Sequence, residues 1–135
     1  MVKYIDHIAI AVSDLVSTVQ VFETILGTSI YKKELVASEG VQTYFLQLGG
    51  TKIELLESVS EESAIAKFIH KKGDGMHHIA LEVDDIYQEM DRLKAAGFEV
   101  LNDIPKKGAD NKLICFLHPK TTGGVLIELV QSQVV

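Results

Sequence analysis

The stretch "YIDHIAIAVSD" (residues 4–14) returns in the second half of the chain as "MHHIALEVDD" (residues 76–85). Asp6-His7-Ile8-Ala9-Ile10-Ala11-Val12 lies over His77-His78-Ile79-Ala80-Leu81-Glu82-Val83, and both copies run into a helical pattern. Internal repetition on this scale means two copies of one supersecondary unit. Side chains of a strand alternate between faces. Ile8, Ile10 and Val12 therefore share one side, suited to a helix packed on it, and His7, Ala9 and Ala11 share the other. The second copy sorts Ile79, Leu81 and Val83 from His78, Ala80 and Glu82 in the same way.

Working outward, the first helix is expected to start at Ser13-Asp14, to carry Leu15, Val19, Phe22 and Leu26 on one face, and to stop at Gly27. The second starts at Asp84-Asp85, carries Ile86, Met90 and Leu93, and stops at Gly97. Asp or Ser at the N-cap and Gly past the end are the usual punctuation. Three strand-like runs follow each helix: "TSIYKKEL", "VQTYFLQL" and "TKIELLE", then "FEVL", "LICFL" and "VLIELVQ". Gly49-Gly50 and Gly123-Gly124 read as hairpin turns before the last run of each half. Each half is thus β-α-β-β-β, and "SEESAIAKFIHKKGDG" reads as a connecting helix capped by Ser60 and ended by Gly73. The expected fold class is α+β, with the two modules pairing into one curved, cleft-forming mixed sheet. A single domain spans residues 1–135, with module one over about 1–58, the connecting helix over about 60–72 and module two over about 74–132.

The chain of 135 residues is 47% apolar and 24% charged, with a net charge of −6. That balance describes a folded globular protein and argues against a general nucleic-acid or anionic-membrane binder. The single cysteine, Cys115, excludes an internal disulfide, and its setting in "LICFL" predicts a buried, inert thiol. No signal peptide or membrane-spanning run is visible, so the cytoplasm is the expected compartment.

A lone histidine or glutamate in a strand is ordinarily structural. Here His7 and His78 sit on the first strand of each half, and Glu54 and Glu128 interrupt the apolar alternation of the last. Four such residues at matched positions point to one centre. Two imidazoles and two carboxylates suit a divalent first-row metal, which would also compensate the buried acid charge. His77 should face the other way, its counterpart being Asp6. His70 belongs to a lysine-rich helix end exposed to water. His118, in "FLHPKTTGG", ends a strand and is read as either structural or substrate-contacting.

These paired modules, with His, Glu, His and Glu on their inner faces, resemble the vicinal-oxygen-chelate superfamily, which includes glyoxalase I, extradiol dioxygenases and antibiotic-resistance proteins. Within it, "IDHIAIAVSDL", "EGVQTYFLQLGGTKIELLE", "SAIAKFIHKKGDGMHHIALEVDDI" and "FLHPKTTGGVLIELVQ" are most similar to methylmalonyl-CoA epimerases. The resemblance covers nearly the whole chain. It implies an isomerase that interconverts the epimers of methylmalonyl-CoA, with metal ligands His7, Glu54, His78 and Glu128 and with Glu128 also as the catalytic base. It implies one divalent ion, cobalt ahead of manganese, nickel or zinc, an acyl-CoA substrate, no nucleic-acid or membrane partner, and a homodimer. A lyase of the glyoxalase I type, acting on a thiol–methylglyoxal adduct, is the alternative. One departure is plain: where some epimerases place a second catalytic Glu after the "GV" motif, this chain has Thr43. Glu39 and Glu82 stand near that position. Lys106, Lys107, Lys112 and Lys120 would be available to the phosphates of coenzyme A.

Overall fold

In the computed structural model, which describes residues 1–133, the opening strand β1 (Val2–Ala11) serves two compact units. The boundary falls inside it: one unit runs from His7 to His77, and the other combines Met1–Asp6 with the described residues from His78 on. The last two of the 135 residues assigned above to a single domain lie outside the described residues.

The His7–His77 unit continues through α1 (Leu15–Leu26), β2 (Lys32–Val36), β3 (Val41–Leu48), β4 (Thr51–Ser58) and α2 (Ala64–Lys72). Its strands lie in the order β2-β3-β4-β1, with β1 parallel to β4 and the other neighbours antiparallel. Asp14 caps α1 as expected, accepting from the Ser17 N–H at 3.3 Å. Gly27 ends it in the left-handed region at φ 67, where a Cβ would be strained. Val12, Leu15, Val19, Leu46, Ile53 and Leu55 form the core, flanked by Ile8, Ile10, Phe22 and Leu26. The isoleucines of the repeated stretch therefore do face the helix. Fully burying a core side chain such as Leu46 or Leu55 contributes roughly 1.5–3 kcal/mol.

The second unit carries β5 (Gly75–Val83) from His78 on, α3 (Ile86–Ala95), β6 (Lys106–Lys107), β7 (Leu113–Leu117) and β8 (Ile127–Gln131). Its order is β1-β5-β8-β7-β6, with β5 parallel to β8. Asp85 caps α3 through the Gln88 N–H at 3.1 Å. Val83, Ile86, Met90, Cys115 and Leu129 form its core, with Leu81 and Leu93 against it. The architecture is α+β, with the β-α-β-β-β order occurring twice. Among the described residues, no helix is long and apolar enough to cross a membrane.

Three expectations are corrected. "FEVL" is not a strand: only Val100 bridges to Leu117, and the outer strand is the two-residue β6. Two backbone bonds flank that bridge, from the His118 N–H to the Glu99 carbonyl and from the Leu101 N–H to the Phe116 carbonyl, both 2.8 Å. The ladder goes no further because the Asn102 side chain accepts from the Phe116 N–H at 3.2 Å, and Pro105 follows with no N–H to offer. The cap of α2 is Ser63, whose Oγ accepts from the Ala66 N–H at 3.0 Å; Ser60 instead turns the preceding loop. Gly49-Gly50 does close a two-residue hairpin, since Leu48 pairs with Thr51. Gly123-Gly124 does not. Residues 118–126 connect β7 to β8 through a 3₁₀ turn that Pro119 starts, and the Gly124 N–H donates back to the Pro119 carbonyl at 2.8 Å.

Candidate metal centre

Each unit builds one histidine–glutamate pair by the same strand arithmetic. In the first unit β1 runs parallel to β4 so that Ala9 stands beside Glu54, and β3 brings Phe45 to its other side. His7, two residues before Ala9, shares their face. Its Nδ1 lies 3.1 Å from Glu54 Oε2. In the second unit Ala80 stands beside Glu128, with Phe116 on the other side. His78 Nε2 lies 3.2 Å from Glu128 Oε1, and the His78 and Phe116 rings meet edge-on at 5.3 Å. Ala9 and Ala80 are fully buried. Their small side chains leave room beside each carboxylate that a leucine would fill.

All four polar residues are buried, at 4–6% exposure. A carboxylate removed from water is expensive unless it meets positive charge. The donor set fits a divalent cation: imidazole nitrogen and carboxylate oxygen, each histidine already at contact distance from its own glutamate. His7, Glu54, His78 and Glu128 are candidate metal-binding residues.

The other sequence candidates divide clearly. Thr43 is in β3 on the face of Phe45, opposite Leu56, and is 1% exposed. Glu82 is held by donors: Lys112 Nζ lies 3.3 Å from its Oε1, while the Ser132 N–H and Oγ donate at 2.9 and 3.0 Å. Both of its oxygens are thus already committed to hydrogen bonds. Lys112 is itself buried between Asp6 and Glu82, which removes it from the lysines offered to a phosphate. The paired acids raise its pKa despite burial. Lys120 lies 3.3 Å from Glu99, and Lys106 and Lys107 are exposed on β6. His118 accepts from the Lys120 N–H through Nδ1 at 3.1 Å and so caps its 3₁₀ turn. His77 meets the Phe68 ring edge-on at 5.0 Å, and His70 is exposed. Cys115 is fully buried, and burial, with the Glu128 charge, pushes its thiol up to about 11.

Sequence reasoning missed the Ala and Phe that flank each glutamate and the Asp6–Lys112 contact. The flanks were legible as Ala9 over Ala80 in the repeat, although strand register was needed to set them beside the acids.

The profile of the Glyoxalase/Bleomycin resistance protein/Dioxygenase superfamily matches residues 6–116. The chain is 43% identical over 133 residues to the ethylmalonyl-CoA/methylmalonyl-CoA epimerase of Cereibacter sphaeroides, covering 97% of this chain and 99% of that one. It is 42% identical over 129 residues to the mitochondrial methylmalonyl-CoA epimerase of Homo sapiens, covering 95% of this chain and 73% of that one. A variant of the Streptomyces coelicolor methylmalonyl-CoA epimerase, solved with 2-nitronate-propionyl-CoA, superposes with a TM-score of 0.94 at 36% identity, covering 100% of this chain and 98% of that one. The chain belongs to the glyoxalase/bleomycin resistance protein/dioxygenase superfamily and, within it, to the methylmalonyl-CoA epimerases.

Proposed function

We propose that this protein interconverts the two epimers of methylmalonyl-CoA, with His7, Glu54, His78 and Glu128 together holding one divalent cation. The reading is carried by the pair of matched, buried histidine–glutamate contacts in a chain 42–43% identical to two methylmalonyl-CoA epimerases. Cobalt is our first choice of ion, ahead of manganese, nickel and zinc. When bound, it would supply Lewis acidity toward the thioester carbonyl, making the hydrogen between the two carbonyl carbons easier to remove.

The chain's own groups then have separate tasks. Glu128 removes the α-proton, and its burial beside Phe116 and His78 keeps water from competing for it. A second acid must reprotonate the opposite face. Thr43 has no acidity for that role, and Glu82 is committed to Lys112 and Ser132. The exposed Lys106 and Lys107 are the lysines we assign to the coenzyme A phosphates. We further read residues 1–135 as one domain, working in the cytoplasm as a homodimer; light scattering and cell fractionation test those two calls.

The decisive experiment incubates the cobalt-loaded protein with methylmalonyl-CoA in deuterated water and follows the α-hydrogen by NMR. Exchange is expected, and it should vanish after chelation. A sample that contains metal, leaves the α-hydrogen in place and consumes the methylglyoxal hemithioacetal would establish the glyoxalase reading instead.

A further inference from the structure

Lys112 is buried where lysines are seldom found. Its Nζ lies 2.6 Å from Asp6 Oδ1 and 3.3 Å from Glu82 Oε1, and Glu82 also accepts from Ser132. One ammonium thus joins β1, β5 and the end of β8 within a single unit. A buried ion network of this kind is often no more stable than a well-packed apolar replacement, so stability alone is a weak reason for it.

The loop that delivers Lys112 is itself under constraint. Asp110 and Asn111 both adopt left-handed backbone, at φ 60 and 56. Strained backbone persists where the surroundings over-determine it. The Gly108 N–H donates to the Lys112 carbonyl at 2.9 Å, and a Cβ on Gly108 would stand 2.8 Å from Ile114 Cδ1. The positions that match Lys112 and Glu82 in the other unit are apolar. Counting back from Phe45 and Phe116, which stand opposite the two glutamates, Val41 corresponds to Lys112. In the repeat, Ala11 corresponds to Glu82. Neither the Lys112 ammonium nor the Glu82 carboxylate therefore has an equivalent at the matched position of that unit. The network grips Asp6, the residue bonded to His7, and Glu82, which shares a face of β5 with His78.

We propose that Lys112 is a positioning residue for the histidine ligands, anchoring the peptide that precedes His7 and tying it to the strand that presents His78. The inference rests on the metal reading above, and its test separates the two. Amide hydrogen exchange by NMR is measured first on metal-free parent, K112M and D6N/K112M. In K112M the His7 and Ile8 amides should exchange at least ~10-fold faster, while Leu55 and Leu129 keep their rates. The double variant should behave like K112M, because the anchor is lost in both. It also carries the test if loss of the ammonium beside the buried Asp6 carboxylate prevents K112M from folding.

Cobalt is then added. The visible absorption of the variants should differ from the parent's, and kcat should fall ~10–100-fold with KM little changed, the scale typical of groups that orient metal ligands. Three results overturn the proposal: a parent-like rate at His7 in the variants, recovery of that rate in D6N/K112M, or an equal rise at Leu55 and Leu129. A parent protein that takes up no cobalt refutes the metal reading instead, and the exchange data still decide whether Lys112 anchors His7.

Discussion

The two units differ least at the histidine–glutamate pair and most one step away from it. Each sets a buried Glu between an Ala and a Phe, with a His within 3.1–3.2 Å. At two positions next to that kernel the first unit has the buried apolar residues Ala11 and Val41. The second has Glu82 and Lys112 at the corresponding places. The outer strand also differs, being five residues long in β2 and two in β6. Shared packing does not require the kernel, because the cores tolerate different residues around it. A common chemical demand on both halves does.

That reading exposes itself to a direct break. His7→Ala and His78→Ala should each cost α-proton exchange on the order of 10²–10³-fold, the scale found when one preorganised electrostatic group is removed. The losses should be comparable if, as proposed, each histidine holds the same ion. A His7→Ala protein with near-parent turnover beside a dead His78→Ala protein would mean that one unit carries the chemistry alone.

The two cores should respond alike to truncation. Leu55 and Leu129 are matched residues, each following the glutamate of a histidine–glutamate pair and each buried. Truncation of either to Ala should cost about 2–5 kcal/mol, depending on how far the cavity collapses. Urea unfolding followed by circular dichroism should show one transition for both variants, as a single cooperative domain requires. Two transitions, with only one displaced by each variant, would show that the units unfold separately.

A smaller effect is expected at the helix starts. Asp14→Ala and Asp85→Ala each remove a side-chain acceptor from a helix N-terminus. Each should cost about 1 kcal/mol in the same urea experiment. Unequal losses would show that the helices differ in how far tertiary contacts replace the cap.

What was legible in the sequence has a physical pattern. Features set by local rules could be read: the caps Asp14 and Asp85, the stop at Gly27, and the helix-facing isoleucines of the repeat. The histidine–glutamate pairs could be read because duplication writes the same non-local contact twice. The Lys112–Asp6 contact spans most of the chain and occurs once, so no periodicity announces it. Ser60 and Ser63 are equally good caps by residue type, and only the path of the preceding loop selects Ser63. "FEVL" has strand composition, yet the Asn102 side chain captures the N–H that a longer strand would have paired.

Cys115 offers the finest comparison, because its counterpart beside the matched leucine is Tyr44. Burial raises the Cys115 thiol from its ordinary 9.0 to about 11. Between those values the folded chain keeps a proton that the unfolded chain releases. Its contribution to stability is therefore complete below pH 9 and declines as pH rises toward 11. At pH 8 an aromatic disulfide reagent should leave the native thiol untouched, and in urea it should titrate one thiol per chain. Cys115→Ala should flatten the fall in stability between pH 9 and 11 without altering its shape near neutrality. Rapid labelling of native protein at pH 8 would mean that the second core opens far more readily than its packing implies, and the equivalence of the two cores would then fail.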